Sequence, residues 1–466
     1  MKDYASYSFW LEHAGDDLTP RDPLDGSTTV DVAILGAGFT GLWTAYHLLR
    51  REPSLNVAVL EAEIAGFGAS GRNGGWCFSG FPLSPQELTE RYGRETARAI
   101  SLAMYDSVDD VGAVCEREGI DAHYAKGGEL EIARADHELP QIEEMYAGFR
   151  SIGLEDHYEF FDAEQTAERI KVSTPAGGYP VGSFWNREGA AVQPARLARG
   201  LARAVERHGG TIYEQTRVLD FTPGPPAPIF HTEHGDVTAK VIVLAGEAYL
   251  AEQPKMRRRI LPITSHIVIT EPLSDDVWSE IGWERREVVG GFGSEGGYLN
   301  HTADGRIAFG PYRSHYPFRS KITDEINLQP DIFEHGRRAA LSWFPMLEGV
   351  EFTHSWGGVL GMPRDHMPVM AYNRPSGVAF AFGYTGDGVA TTNLSGRTLA
   401  DLITETQSEL TELPMTRHRP RRWEPEPLRW IGSQLVMWSR HRNERRADET
   451  GKNSEGPTLA ERLWRS

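Results

Sequence analysis

Residues 29–61 are TVDVAILGAGFTGLWTAYHLLRREPSLNVAVLE, and this stretch decides the fold. Its first seven residues are apolar and β-branched, which predicts a buried strand, and Leu42 to Arg51 predicts a helix that ends before Pro53. Asn56 to Glu61 predicts a second buried strand. Such a strand–helix–strand unit has a right-handed crossover and begins a doubly wound α/β sheet.

Three glycines and one carboxylate in this stretch predict a dinucleotide site. Gly36 permits a tight turn, Gly38 lets the backbone approach a pyrophosphate, and Gly41 allows close packing of helix on sheet. The helix N-terminus offers free N–H groups to an anion. Glu61 can accept hydrogen bonds from both ribose hydroxyls and would repel a 2′-phosphate. The pattern therefore favours FAD or NAD over NADP.

Length, composition and charge narrow the class of protein. At about 150 residues per domain, 466 residues suggest two or three domains. Apolar residues make up 40% of the chain and aromatic residues 10%, which excludes wholesale disorder. The net charge of −18 repels phosphate backbones and anionic lipids, so general nucleic-acid binding is not expected.

Cysteine count and hydropathy point to a cytoplasmic protein without a membrane span. Cys77 and Cys115 cannot form a disulfide framework, which favours a reducing compartment. The N-terminus carries no secretory pattern. The longest uncharged run, residues 32–49, contains three glycines and is explained by the nucleotide motif.

The rest of the chain predicts an interrupted sheet domain. Charged helical stretches follow Pro82, the α/β rhythm returns at Pro194, short β-rich pieces between Ile260 and Gly310 predict an antiparallel sheet, and Val378 to Phe382 predicts a last buried strand. We expect a nucleotide domain of three segments and a β-rich α+β substrate domain of two. The segments are 28–81, 186–254 and 354–408 for the first domain and 82–185 and 255–353 for the second.

Residues 409–466 form an Arg-rich extension. Between Leu413 and Arg446 it holds nine arginines and three glutamates. We expect a helix around Trp430 to Trp438 that packs on the acidic body with its arginines in solvent. The alternative is a basic amphipathic helix that touches a membrane or a partner.

A second glycine-rich stretch, Gly66 to Gly75 (GFGASGRNGG), predicts a ligand-binding loop. No separate strand leads into it, so it is not a second dinucleotide site. The Ser70 hydroxyl and the glycine N–H groups suit a pyrophosphate or ribityl chain, and Arg72 and Asn73 suit a polar ring edge. A flexible surface loop is the alternative.

With Trp356-Gly357-Gly358 and the stretch Gly383 to Thr391, these motifs resemble the FAD-dependent oxidoreductases of the D-amino-acid oxidase superfamily. The resemblance spans roughly residues 28–405 and is strongest to gamma-glutamylputrescine oxidases and related amine oxidases. It implies non-covalent FAD, a β-rich substrate domain over the flavin ring, the Gly386 to Ala390 backbone at the flavin's pyrimidine edge, and Val218 near the adenine. The predicted cofactor-binding residues are Gly36, Gly38, Phe39, Thr40, Gly41, Glu61, Gly68, Ala69, Ser70, Arg72, Asn73, Gly74, Gly75, Val218, Gly246, Gly386, Gly388, Val389, Ala390 and Thr391.

The resemblance also implies oxidation of a carbon–nitrogen bond in an amine or amino acid. A deprotonated amine loses a hydride to flavin N5, and the resulting imine hydrolyses. The electrons then pass to O₂, the expected acceptor, or to a quinone or carrier protein. Predicted catalytic residues are Arg72, Asn73 and Tyr384, and predicted walls of the substrate pocket, by cation–π attraction, are Trp76, Tyr298 and Trp356.

Three alternatives remain open at this stage. The glycine triad and Glu61 alone also suit an NAD-dependent dehydrogenase, although NAD would leave the other glycine motifs unused. A second alternative is a non-catalytic interaction protein with structural FAD. The third is a covalent flavin thioether at Cys77, a residue that a small buried hydrophobe explains equally well. Finally, His301, His354 and His366 show no metal-ligand spacing, so no metal is expected.

Overall fold

The computed structural model describes residues 2–175, 177–178 and 180–453. The strands are β1 (Thr28–Leu35), β2 (Val57–Leu60), β3 (Trp76–Phe78), β4 (Glu129–Ala133), β5 (Tyr158–Asp162), β6 (Gly182–Asn186), β7 (Gly189–Ala191), β8 (Thr211–Tyr213), β9 (Val218–Thr222), β10 (Ile229–Thr232), β11 (Gly235–Leu244), β12 (Leu261–Thr270), β13 (Val288–Gly291), β14 (Gly297–His301), β15 (Ile307–Pro311), β16 (Phe352–Met362), β17 (Val369–Asn373) and β18 (Val378–Phe382). The α-helices are α1 (Phe9–Glu12), α2 (Phe39–Arg51), α3 (Pro85–Tyr92), α4 (Arg94–Glu118), α5 (Leu139–Ser151), α6 (Ala163–Arg169), α7 (Pro194–Arg207), α8 (Asp275–Ile281), α9 (Pro330–Trp343), α10 (Gly388–Ile403), α11 (Glu409–Glu412) and α12 (Leu428–Thr450).

The first sheet is the doubly wound sheet that residues 29–61 predict. Its main path runs β17-β18-β11-β1-β2-β8, and β1 is parallel to both β2 and β11. The helix begins at Phe39, three residues before the predicted Leu42, because Gly36 turns the chain at φ +99° and Gly38 caps the helix. Helices α2, α4, α7 and α10 cover one face of this sheet and share one apolar core with it.

The second sheet has eight strands in the order β16-β12-β15-β14-β13-β4-β6-β5. Its pairs are antiparallel, as expected, except that β13 runs parallel to β4. One face packs beneath α9, where Val268, Leu299 and Phe309 meet Trp343. The opposite face carries Tyr298 and looks towards the first sheet, so it forms the floor of the space between the two.

The expected segment boundaries differ from the observed connections at two places. Residues 354–362, expected in the nucleotide domain, lie in β16 and pair with β12 of the second sheet. Helix α4, from the segment expected in the substrate domain, instead packs on α10 and shares the core of the first sheet. Both differences arise from long-range pairing that local hydrophobic spacing does not contain.

The C-terminal extension forms the expected helix, α12, which packs on the body of the protein. Trp430 and Met437 contact a cluster that includes Leu261 and Tyr316, and Arg429 is buried. The outer side of α12 exposes a row of large apolar side chains: Leu428, Ile431, Leu435 and Trp438. Among the described helices, none combines the length and the apolar character that a bilayer crossing requires.

Candidate active site

A cavity of about 1060 Å³ lies between the carboxyl ends of the first sheet's parallel strands and the open face of the second sheet. Strand β1 lies between β2 and β11. The chain adds β2 and β8 on one side of it and later adds β11 and β18 on the other. Ligands of doubly wound sheets bind at such a switch point. The cavity continues from there to the aromatic side chains of the second sheet and to α12.

The predicted phosphate region is built from two loops that hold each other. Gly38 is the N-cap of α2, and the Ser70 hydroxyl accepts a hydrogen bond from the N–H of Phe39 at 2.8 Å. A Cβ on Gly38 would lie 3.0 Å from that hydroxyl, so the glycine keeps this wall open. A Cβ on Gly41 would lie 1.9 Å from the Gly36 carbonyl oxygen, which makes Gly41 a packing residue of the turn. The N-terminus of α2 therefore opens on a glycine-lined wall that suits an anion.

Glu61 follows β2 and lines the cavity. Its Oε2 accepts a hydrogen bond from Ala37 N–H at 2.8 Å and its Oε1 one from Glu63 N–H at 2.9 Å. Burial raises the pKa of this carboxyl to about 7. Val218 and Gly246 line the same end. The carboxylate is thus held in one orientation and keeps further acceptor capacity for a ligand's hydroxyls.

Asn73 braces the glycine-rich loop. Its Nδ2 donates to the carbonyls of Ala69 and Ser70, each at 3.1 Å, and its Oδ1 accepts from Gly75 N–H at 2.8 Å. The side chain lines the cavity, but its amide already bonds the loop backbone on both sides. Asn73 therefore braces the loop, and its predicted catalytic role stays a prediction.

Arg72 is a buried cation at the cavity wall. Its side chain is 3% exposed, its Nε donates to the Phe67 carbonyl at 2.7 Å, and its guanidinium lies 4.3 Å from the centre of the Phe67 ring. Among the residues the structure describes, no carboxylate pairs with it. A buried charge is costly without a counter-charge, so this site favours an anionic group in the cavity.

Tyr384 lies between the last strand and α10. Its hydroxyl is 2.9 Å from Thr40 Oγ1, and burial raises the pKa of the phenol. The ring lines the cavity while the hydroxyl ties the 383–388 loop to the first turn of α2. The phenol thus joins the two loops, and the predicted catalytic role of Tyr384 stays a prediction.

The cavity brings together most of the predicted residues. Those on its wall are Gly36, Gly38, Phe39, Thr40, Glu61, Gly68, Ala69, Ser70, Arg72, Asn73, Gly74, Trp76, Val218, Gly246, Tyr298, Tyr384, Gly386, Gly388 and Val389. Those behind it are Gly41, Gly75, Trp356, Ala390 and Thr391. A Cβ on Gly75 would meet Asn300 Nδ2 at 2.3 Å, so Gly75 serves packing, and Ala390 and Thr391 lie inside α10.

Trp356 was predicted as a pocket wall, and the structure corrects this. Its side chain is 3% exposed, packs edge-on against Trp10 and donates from Nε1 to the Arg72 carbonyl at 2.9 Å. The N-terminal segment around Trp10 covers it, and no local sequence motif predicts this contact. Trp356 therefore supports the Arg72 backbone from behind the wall.

Sequence reasoning predicted Tyr298 as a cavity wall but missed the other residues that the second sheet brings to or near the cavity. Tyr312 and Ser265 line it, and Glu129 and Glu131 lie on the sheet face that looks towards it. Ser265 Oγ is 2.7 Å from the Tyr298 hydroxyl. The sequence did contain a signal for this charged face. In the short strand β4, Glu129 and Glu131 alternate with the apolar Leu130 and Ile132, so the two glutamates share one face of the sheet.

These features match a known family. The family model "FAD dependent oxidoreductase" matches residues 31–402, and the chain belongs to this family. It is 30% identical over 400 residues to the gamma-glutamylputrescine oxidoreductase of Escherichia coli K12, covering 85% of this chain and 88% of the relative. It is 30% identical to the probable oxidoreductase OrdL of Rhizobium meliloti, covering 83% and 86%. The crystal structure of glycine oxidase from Geobacillus kaustophilus has the same fold, with a TM-score of 0.67 at 22% identity, covering 84% of this chain and 99% of that chain.

The cofactor is FAD, bound non-covalently, which confirms that prediction over NAD. The residues present fit it: a carboxylate at one end, glycine walls and a helix N-terminus in the middle, and beyond them the buried Arg72, which pairs with no carboxylate among the described residues. Cys77 is fully buried and lies outside the cavity wall, and burial raises the pKa of its thiol. It therefore acts as a small core residue. The protein is an FAD-dependent oxidoreductase of the amine or amino-acid type.

Proposed function

We propose that this protein is an oxidase that breaks a carbon–nitrogen bond by removing a hydride from the α-carbon of an amine and passing the electrons to O₂. The observation that carries the proposal is one continuous cavity that joins the dinucleotide wall to an aromatic chamber, formed by Trp76, Tyr298 and Tyr312. The names of the relatives specify nitrogen compounds, gamma-glutamylputrescine and glycine, which supports an amine substrate.

The overall reaction balances as follows. The neutral amine R–CH₂–NH₂ loses a hydride from carbon and a proton from nitrogen, giving R–CH=NH, which water hydrolyses to an aldehyde and ammonia. Bound FAD supplies the two-electron acceptor for this step. Transfer of both electrons and two protons to O₂ gives hydrogen peroxide.

The protein's own residues orient the substrate and stabilise charge. The aromatic chamber removes water from around the amine, and its ring faces attract a cation as it arrives. Arg72 and the N-terminus of α10 at Gly388 place positive potential at the cavity wall, where negative charge develops on reduction. We propose Arg72 as the catalytic residue, with Asn73, Tyr384 and Trp356 as positioning residues. The predicted cytoplasmic location stays a prediction.

Anaerobic mixing of the purified yellow protein with a panel of amines and amino acids tests the function. We expect the flavin absorbance to bleach with at least one amine and to return on admission of air, with one peroxide formed per turnover. Bleaching without reoxidation by air would identify a dehydrogenase. Flavin that no amine or amino acid reduces would support the non-catalytic alternative and overturn the proposal.

A further inference from the structure

Three acidic residues lie around the aromatic chamber. Asp387 lines the cavity directly, immediately before α10. Glu129 and Glu131 stand two positions apart on β4, on the sheet face that looks towards the cavity. Glu131 is 8% exposed and Glu129 is 6% exposed. Acidic side chains therefore concentrate near the end of the cavity farthest from the expected adenine position, with Asp387 on its wall.

Two of these carboxylates have no partner. Glu129 accepts a hydrogen bond from Asn186 Nδ2 at 2.9 Å. Within the described part of the chain, neither Glu131 nor Asp387 has a hydrogen bond or an ion pair to its carboxylate. Burial raises the pKa of Asp387 to about 7 and the pKa of Glu131 well above its ordinary value, with neighbouring Glu129 adding to both shifts. Glu131 is buried, and a buried polar side chain without a partner is unusual. Asp387 is half-buried on the cavity wall.

The sheet is shaped to place Glu131 beside the chamber. Register aligns Glu131, Gly290, Tyr298 and Gly310 across four adjacent strands, so they share one face. A Cβ on Gly290 would lie 2.2 Å from Glu131 Oε1, and one on Gly310 would lie 1.9 Å from Tyr298 Cζ. Both side chains therefore lie flat over glycines, and the Glu131 carboxylate extends towards Tyr298.

Tyr312 connects this row to Asp387. Its ring centre lies 6.0 Å from that of Tyr298, it is 44% exposed, and it lines the cavity together with Asp387. Burial raises the pKa of its hydroxyl well above the ordinary value, and the charges of Glu131, Glu129 and Asp387 add to this shift. Carboxylates combined with aromatic faces form a recognition site for an ammonium group.

The opposite wall does not cancel this negative charge. Arg440 of α12 lines the cavity but is paired with Glu444 at 3.1 Å. His441 lines it too, and burial together with Arg313 and Arg440 lowers its pKa, which keeps the imidazole neutral. The α12 side of the chamber therefore does not repel a cation. The other basic residues on the cavity wall are Lys2, Arg72, Arg217 and Lys321.

The chemistry decides which nitrogen of the substrate binds here. Hydride loss requires a neutral amine at the reacting carbon, whereas unpaired carboxylates stabilise a protonated one. A nitrogen held by these carboxylates is thus kept from reacting. We propose that Glu131, Asp387 and Tyr312 form a subsite for a second, non-reacting ammonium group, so that the preferred substrates are diamines or polyamines. This inference rests on the proposed function and specifies the substrate of the same cavity.

Three substrates of equal length test the subsite: 1,4-diaminobutane, 1-aminobutane and 4-aminobutanoate, which differ only in the distal group. With the holoenzyme, we expect kcat/KM for the diamine to exceed that for the monoamine by about tenfold or more, as one charge-assisted contact implies. The aminocarboxylate should be the poorest of the three. In E131Q and D387N, the diamine-to-monoamine ratio should fall towards one.

Glu287→Gln is the matched control. Glu287, like Glu131, is a buried carboxylate beside the same sheet that does not itself line the cavity, but it pairs with Arg169 at 3.3 Å. The E287Q variant should keep the wild-type ratio of kcat/KM for the diamine to that for the monoamine. Equal rates for diamine and monoamine, preference for the aminocarboxylate, or an unchanged ratio in both E131Q and D387N would overturn the subsite while leaving the proposed function intact. Flavin that no amine reduces would instead overturn the proposed function.

Discussion

The two ends of the cavity treat their polar groups differently. At the cofactor end, Glu61, Ser70 and Asn73 each already bond to backbone groups of neighbouring loops. At the substrate end, the carboxylates of Glu131 and Asp387 have no partner in the described chain. One end is assembled before any ligand arrives, and the other keeps groups that only a ligand can satisfy.

The cofactor end therefore fixes the shape of the FAD site, and the substrate end determines which substrates are preferred. Groups bonded to backbone fix the position of loops, so the wall for FAD is preorganised. Unpaired buried groups carry a desolvation cost that an incoming cation offsets, so they discriminate between substrates that carry such a cation and those that lack it. Arg72 stands between the two regions, because it is bonded to backbone yet keeps an uncompensated charge.

Replacing the positive charge of Arg72 should produce the largest effect, a slower reduction of the flavin by substrate. In R72M, loss of one interaction that strengthens on reduction costs about 2.7 to 4 kcal/mol, or roughly 100- to 1000-fold in the reductive half-reaction measured by stopped flow. The variant should remain yellow. Arg134→Met is the control, because Arg134 is equally buried and stacks on Trp343 away from the cavity. Reduction as fast as wild type in R72M would make Arg72 a loop residue only.

Filling the glycine row should damage the substrate end alone. In G310A, the new methyl group would overlap Tyr298, and overpacking of this kind costs about 1 to 3 kcal/mol in thermal or denaturant unfolding. KM for the amine should rise while the Kd of FAD stays the same. Gly336→Ala, where the methyl has ordinary contacts 3.4 Å away, is the control. A parallel loss of FAD affinity in G310A would show that the two ends are not independent.

Replacing the Glu61 carboxylate should instead damage the cofactor end alone. In E61Q, FAD affinity measured by titration of the apoprotein should fall at least about tenfold, equivalent to about 1.4 kcal/mol, because charge-assisted ribose contacts become neutral ones. Asp31→Asn removes a carboxylate of β1 that also accepts a backbone N–H, from Asn56, but lies away from the cavity. Its FAD affinity should be unchanged, and equal affinities in E61Q and wild type would place the ribose elsewhere.

The smallest effect is a pH dependence of stability at the substrate end. Burial raises the pKa of Asp387 from its ordinary 3.8 to about 7, so the folded protein binds a proton that the unfolded chain has released. Stability therefore falls as pH rises between these two values and levels off above them. The Tm advantage of D387N over wild type should grow from pH 5 to pH 7 and stay constant above pH 8. An advantage that does not change with pH would contradict the burial of this carboxyl.

Much of the cofactor end was accessible from local sequence. The Gly36, Gly38 and Gly41 spacing, the strand before it and Glu61 after the next strand all lie within 33 residues, so one supersecondary unit specifies them. Local motifs say less about the roles of single side chains. Asn73 and Tyr384 were predicted to be catalytic from their motifs, and the structure shows their polar atoms bonded to neighbouring loops, so their catalytic roles stay predictions.

The sequence by itself determined the doubly wound sheet, the FAD-type turn, the carboxylate at Glu61 and the presence of a β-rich partner sheet, because these depend on periodicity and turn geometry over short spans. Only the tertiary structure placed β16 in the second sheet, Trp356 behind the cavity, and Glu131 in one row with Gly290 and Tyr298. Those placements depend on strand register between segments that are far apart in the chain, 82 residues for Thr270 and Phe352 and 159 for Glu131 and Gly290, and Gly290 and Gly310 leave room for the side chains of neighbouring strands. Pairing at that distance is decided by packing of the whole chain, and no short stretch carries it.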